Sequence, residues 1–321
     1  MNDSFRKLQM LLAITGIAVA GNVQGSIDTS GFGGSCEESC PVSCCSDSCG
    51  RFFLDAGLLY LRAYEGGLAN VCDSTHTWDS DESTLVISRL KGRSHDPDFD
   101  WNLGFRVGAG YEMPDCNCGV GAFWTHYHSH NHGHSHDNGS SWKLDFDVVD
   151  LLYSCPFDCS SCFTFTPYGG IRFANIDQKL HSRFLSTHNG DSIHSRGDLK
   201  EEFVGIGPMF GIDGSWGIGC GLSLYGNISA AALYGRFHVK ADRTVDFHTG
   251  TNYSRLRKHI CASQLALDTG FGVRWRTCFC CDKVLVLQLG LEQHRYFNLN
   301  QFCGYGDLSL DGVSLSAHFL Y

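Results

Sequence analysis

Charged residues and prolines are scarce in this sequence. Asp, Glu, Lys and Arg make up 18% of the 321 residues, where a soluble domain carries about 25%, and there are six prolines. Beyond the N-terminus no apolar run reaches about 18 residues, so no membrane-spanning helix is predicted. The sequence lacks the G-x-S-x-G, Walker and H-E-x-x-H motifs, and we expect no enzymatic activity. The net charge of −10 provides no basic field for nucleic acid, which we exclude as a partner.

Cysteine is abundant instead, with 17 residues alongside 38 glycines. So many thiols are typical of an oxidising envelope or secreted setting. Arg6 and Lys7 precede a mostly apolar stretch at 8–20, which predicts a signal peptide over residues 1–25, cut after Ala20 or Gly25. A Cys-rich periplasmic segment is expected over 26–49, and a barrel domain over 50–321.

Alternation of apolar and polar residues with a period of two recurs along the chain. Between Phe99 and Tyr111 every second residue is apolar, and the chain ends on another such segment, Val313 to Tyr321. The pattern predicts an all-β fold, a transmembrane antiparallel up-and-down β-barrel of about ten strands. The predicted strands lie near 51–64, 99–112, 118–128, 142–154, 162–176, 201–215, 220–239, 260–276, 284–296 and 307–321.

The connections between these strands alternate between long and short. Long outside loops with short periplasmic turns are typical of bacterial outer-membrane barrels. We therefore predict localisation in the bacterial outer membrane, with membrane lipid as one partner. The longest outside loops are expected at 65–98, 177–200 and 240–259.

Three segments resemble recurring strands of a known family: residues 52–68 (FFLDAGLLYLRAYEGGL), 147–151 (DVVDL) and 167–174 (PYGGIRFA). The family is that of the pore-forming outer-membrane proteins of Legionella and environmental chlamydiae, often called major-outer-membrane-protein-like. The resemblance implies a pore for ions and small solutes, and it supplies no site residues. The high cysteine content departs from the Legionella members and is similar to the chlamydial ones, whose envelope proteins are cross-linked through disulfides.

A pore also needs polar side chains on the inner face of the barrel, and the alternation predicts both signs of charge there. A narrow channel is the first functional hypothesis. Ten strands leave little space, however, so ion pairs that plug the lumen are an alternative, as are a non-conducting structural protein and an adhesin. The predicted lumen-lining residues are Asp55, Asp100, Asn102, Arg106, Asp145, Asp147, Tyr168, Arg172, Asp213, Asp268, Arg274 and Glu292.

Most cysteines fall on the predicted periplasmic side. This clustering and the odd total favour disulfides, some of them to other envelope proteins, over the competing zinc site. The oligomeric state is left open. The disulfide candidates are Cys36, Cys40, Cys44, Cys45, Cys49, Cys116, Cys118, Cys155, Cys159, Cys162, Cys278, Cys280 and Cys281.

Six histidines stand at alternate positions in a predicted outside loop. They are His126, His128, His130, His132, His134 and His136. An extended chain would point all six imidazoles the same way, which suits weak surface capture of Zn, Cu or Ni. The alternative is a polar loop tip, and no other cofactor is expected.

Overall fold

The computed structural model describes residues 50–66, 74–78, 85–89, 99–114, 118–132, 140–160, 162–188, 191–247, 250–279, 283–301 and 306–321. The predicted signal peptide and Cys-rich segment lie outside these residues. The strands are β1 (Arg51–Glu65), β2 (Ser74–Trp78), β3 (Leu85–Arg89), β4 (Trp101–Glu112), β5 (Gly119–His132), β6 (Ser140–Ser154), β7 (Phe157–Asp158), β8 (Phe163–His188), β9 (Asp191–Gly219), β10 (Leu222–Phe247), β11 (Gly250–Phe279), β12 (Lys283–Asn300) and β13 (Gly306–Leu320).

Ten of these strands form a closed antiparallel barrel, which confirms the predicted fold class. The order is β6-β5-β4-β1-β13-β12-β11-β10-β9-β8, and pairing of β6 with β8 closes the ring. β2 and β3 form a separate hairpin, and the short β7 pairs with β8. Among the residues that the structure describes, no helix is long and apolar enough to cross a membrane.

The outward face of the barrel is apolar along the half nearer the short turns. Phe210, Leu58 and Leu289 are 68%, 61% and 55% exposed there, as expected for side chains in hydrocarbon. Exposed aromatic rings lie at the short-turn end, where Phe52 packs against Tyr111 with ring centroids 5.0 Å apart. An interfacial aromatic belt has this composition.

The apolar band ends at a row of residues that pair directly across six strands. We call it the edge row; its members are Trp124, Val149, Phe173, Ile206, Tyr234 and Ser263. Beyond it the outward residues are largely polar, while the inward residues become apolar. The membrane-spanning parts of these strands therefore lie on the short-turn side of the edge row.

Two of the predicted long loops are mostly strand. β8 runs to His188 and β9 starts at Asp191, while β10 runs to Phe247 and β11 starts at Gly250. The ladder of residues 177–200 continues past the membrane because its inward side chains, such as Leu180 and Leu199, stay buried. The loop prediction was wrong there.

Candidate functional site: the barrel interior

A chain of ion pairs crosses the interior of the barrel. Arg172 on β8 donates to both oxygens of Asp150 on β6, at 2.7 and 2.8 Å, and its Nη1 lies 2.6 Å from Asp268 on β11. His294 Nδ1 on β12 is 2.9 Å from the other oxygen of Asp268. The alternation of strand residues brings these side chains together because each stands on the inward face of its own strand.

The chain of ion pairs continues from His294 to Arg106 on β4. His294 Nε2 lies 3.3 Å from Glu292, and Arg106 on β4 donates to both Glu292 oxygens at 2.9 and 3.2 Å. Arg106 also donates to the Thr125 hydroxyl. Each charged side chain of this ion-pair chain therefore contacts a group of opposite sign, as a low-dielectric interior requires.

A second interior pair lies nearer the short turns. Arg274 donates to both oxygens of Asp213 at 3.0 and 3.1 Å and to Gln288, and its guanidinium stands 5.0 Å from the centre of the Tyr225 ring. Bidentate pairing of this kind fixes the orientation of both side chains.

These charged groups line a cavity of about 600 Å³. Its lining reaches the short-turn end of the barrel through residues such as Glu112, Thr164 and Ser223. Toward the other end, the lining includes Phe146 and Tyr296. The cavity therefore belongs to the half of the barrel nearer the short turns.

The other half of the interior is filled by apolar side chains, which we call the apolar layer. Trp142, Tyr127 and Tyr296 have no exposed surface, and Phe203 packs on Phe237 with ring centroids 4.6 Å apart. The Trp142 indole donates to Gln178 at 3.1 Å. This contiguous cluster extends over most strands of the barrel and also contains Leu59, Leu61, Leu144, Ile176, Leu180, Leu233, Leu299, Leu308 and Leu310.

Two buried carboxyl groups lie at the apolar-layer end of the barrel, beyond the membrane-spanning segments. Glu65 is 2% exposed and Glu201 is 1% exposed. The Gln301 N–H donates to one Glu201 oxygen at 2.8 Å, whereas the other oxygen and both oxygens of Glu65 have no hydrogen-bond partner among the described residues. Burial raises the pKa of Glu201 to about 8, and burial together with the Glu201 charge raises the pKa of Glu65 well above its usual range.

Most of the predicted lumen residues point inward. Eight of them line the cavity: Asp55, Arg106, Tyr168, Arg172, Asp213, Asp268, Arg274 and Glu292. Asn102 also faces inward, where it donates to Ser129, but Asp100 precedes β4 and is exposed. The prediction missed Asp150 and His294, although both share the parity of inward residues on their strands.

Asp145 and Asp147 lie on the outer face of the barrel, so the predicted lumen role is wrong for both. Their neighbours Phe146 and Val148 are the buried, inward residues of β6. Asp147 pairs with His126 Nδ1 at 2.9 Å and Asp145 with His128 Nδ1 at 2.5 Å. The cause is the reversal of polarity beyond the edge row, where water replaces hydrocarbon outside the barrel.

The first histidines of the alternating series lie in strand β5 rather than in a loop. His126, His128 and His130 share its outward face, and β5 extends to His132. The side chain of His132 and residues His134 and His136 lie outside the described part of the chain. Within the described part, no group of three or more His, Cys, Asp or Glu side chains is arranged so that it could hold a metal ion.

The described cysteines of the short-turn end are mostly in disulfides. Cys118 is bonded to Cys155, and Cys162, Cys220 and Cys278 are also disulfide-bonded, whereas Cys159 is free and exposed. Cys261 is free and exposed near the edge row. The predicted candidates Cys36, Cys40, Cys44, Cys45, Cys49, Cys116, Cys280 and Cys281 lie outside the described residues.

A closed ten-stranded barrel with an apolar outer band and a charged interior defines an outer-membrane β-barrel protein. Residues 45–320 match the model of the Legionella pneumophila major outer membrane protein precursor family. The chain belongs to this family, and the protein is located in the bacterial outer membrane. No match is found among curated protein sequences.

Several solved outer-membrane proteins resemble the chain at low sequence identity. The outer membrane protease OmpT of Escherichia coli is 9% identical, with 84% of this chain and 96% of that chain covered and a TM-score of 0.41. A major outer membrane protein of Thermus thermophilus is 12% identical, with coverage of 85% and 100% and a TM-score of 0.32. Ail of Yersinia pestis is 13% identical, with coverage of 85% and 99% and a TM-score of 0.24.

Proposed function

We propose that this protein is a structural barrel of the outer membrane whose lumen is closed to ions and solutes. The supporting observation is the apolar layer, in which Trp142, Tyr127 and Tyr296 are wholly buried. An ion that entered this layer would lose its hydration shell and face mostly apolar side chains, and this desolvation is costly. Apolar constrictions in channels stop conduction by the same physics.

The ion pairs also favour a filled interior over an open one. Arg106 and Arg172 are each held by two hydrogen bonds to one carboxylate, and Arg172 also contacts Asp268. Charges that are fully paired with each other present a weak field to a passing ion. The narrow channel thus stays a prediction, and we propose the non-conducting structural barrel in its place.

The disulfides support a structural role at the periplasmic end. Cys118–Cys155 joins the start of β5 to the end of β6, and the exposed thiol of Cys159 is available for a bond to another envelope protein. We infer that the barrel anchors such cross-links in the membrane. Enzymatic activity is not expected for this role.

Liposome swelling tests this function. Proteoliposomes that contain the wild-type protein should swell in a small sugar at the rate of empty liposomes. The variant Trp142→Ala/Phe203→Ala removes two of the large side chains from the apolar layer and should swell faster. Retention of the gel mobility of the unboiled, folded form must be shown for both. Fast swelling by the wild-type protein would overturn the proposal.

A further inference from the structure

A row of cationic side chains crosses the outer face of the barrel beyond the membrane. Direct cross-strand partners in adjacent strands are Lys143 and Lys179, Lys179 and Lys200, Lys200 and Lys240, and Lys240 and Arg257. His130 continues this line at the β5 end. We call the five residues Lys143, Lys179, Lys200, Lys240 and Arg257 the cationic row. Neighbouring strands lie about 4.8 Å apart, so its length is about 19 Å.

All members of the row face away from the barrel interior. The residues beside them in sequence, such as Leu144, Leu180 and Leu199, are buried inside. Directly opposed residues in an antiparallel pair share one face of the sheet, which places Arg257 on the same face as Lys240. Like charges at directly opposed positions destabilise a sheet, so the row requires a source of negative charge.

The protein supplies only part of this negative charge. Lys200 lies 3.1 Å from Asp177 and 3.7 Å from Glu202, and Lys179 lies 3.8 Å from Asp177. Lys143, Lys240 and Arg257 have no ion-pair partner among the described residues. Three cations on the outer wall are therefore open to an anion from outside the described chain.

The cationic row lies beyond the hydrocarbon core of the membrane. It runs parallel to the edge row and six residues beyond it on every strand, for example Lys179 against Phe173. Six residues span about 20 Å along a strand, so at a strand tilt of about 40° each member lies about 15 Å farther along the membrane normal than the edge-row residue of its own strand. The head-group region of an ordinary phospholipid leaflet adds only about 5–8 Å to the hydrocarbon core.

We infer that the cationic row binds the phosphorylated sugar head group of an outer-leaflet glycolipid. Such a head group extends farther from the hydrocarbon than a phospholipid head, and its phosphates would neutralise Lys143, Lys240 and Arg257. Its acyl chains would lie against the apolar band below the edge row. This site is independent of whether the lumen conducts.

Binding of purified lipopolysaccharide to the full-length protein in phosphatidylcholine nanodiscs tests this inference. Lys143→Gln/Lys240→Gln removes two unpaired members of the row. The matched control Lys258→Gln/Lys283→Gln removes the same amount of charge away from the row. Lys258 pairs with the inward Val239, and Lys283 starts β12 at the short-turn end. A surface lysine contributes about 1 kcal/mol to anionic lipid binding, so we expect a roughly thirtyfold rise in Kd for the first variant and less than twofold for the control.

Further ligands distinguish the sources of the anion. Dephosphorylated lipopolysaccharide should bind the wild type as weakly as lipopolysaccharide binds the row variant. Equal losses in both double variants, or no loss in either, would overturn the site. Equally tight binding of phosphatidylglycerol or of soluble heparin would overturn the glycolipid assignment. Both variants must keep the gel mobility of the unboiled, folded protein.

Discussion

Removal of the Trp142 ring should destabilise the barrel more than removal of a lipid-facing ring. Trp142 has no exposed surface, and a buried Trp→Ala substitution costs about 3–5 kcal/mol. Loss of the indole N–H also leaves the Gln178 oxygen without its donor, which adds about 1–3 kcal/mol. Trp142→Phe keeps most of the ring and should cost only this second amount.

Trp216→Ala is the matched control. This side chain is 61% exposed on the outer face, so lipid or detergent fills the space that the ring leaves, and we expect less than half the cost of Trp142→Ala. The folded fraction against urea concentration, followed by gel mobility without boiling, measures both. Equal shifts for the two alanine variants would refute the assignment of Trp142 to a packed interior layer.

Three further predictions concern the lipid face, the buried carboxyl groups and the cysteines. Leu289→Arg should cost about 2–4 kcal/mol near the bilayer midplane, and Leu289→Met should be nearly neutral; equal urea midpoints would contradict the facing of β12. The protonated form of Glu201 is favoured in the folded state, so the stability of the barrel should be highest below about pH 4.5 and fall as pH rises to about 8. Glu201→Gln should flatten the dependence of the urea midpoint on pH. An unchanged slope in this variant would contradict the burial of Glu201. Non-reducing gels of thiol-blocked envelopes should show the chain in high-mass species that reduction converts to monomer and that Cys159→Ser depletes; an entirely monomeric blocked sample would contradict intermolecular cross-links.

The period-two pattern was sufficient for the barrel because hydrocarbon on one side and a mixed interior on the other impose a strong contrast on each strand. Val107 and Phe105 stand outward on β4, and Arg106 stands inward, as the pattern predicted. The family resemblance seen in three strand segments of the sequence agrees with the family model that matches residues 45–320. Strand existence and pairing order were therefore accessible from the sequence.

The interior was harder to predict from the sequence because the apolar side of a strand changes from outward to inward along its length. On β6, Val149 and Leu151 are apolar and outward, whereas Leu144 and Phe146 are apolar and inward. Alternation alone identifies an apolar face but not whether lipid or the apolar layer covers it. Asp145 and Asp147 were misplaced for this reason, and the extension of β8 to β11 was missed.

Planar-bilayer recording of the refolded wild-type protein tests the central claim most directly. The apolar layer predicts a bilayer resistance equal to that of protein-free membranes, at either polarity and in high salt, with Trp142→Ala/Phe203→Ala showing discrete current steps. Stable, ohmic single-channel currents from the wild-type protein would contradict a closed lumen and favour the channel.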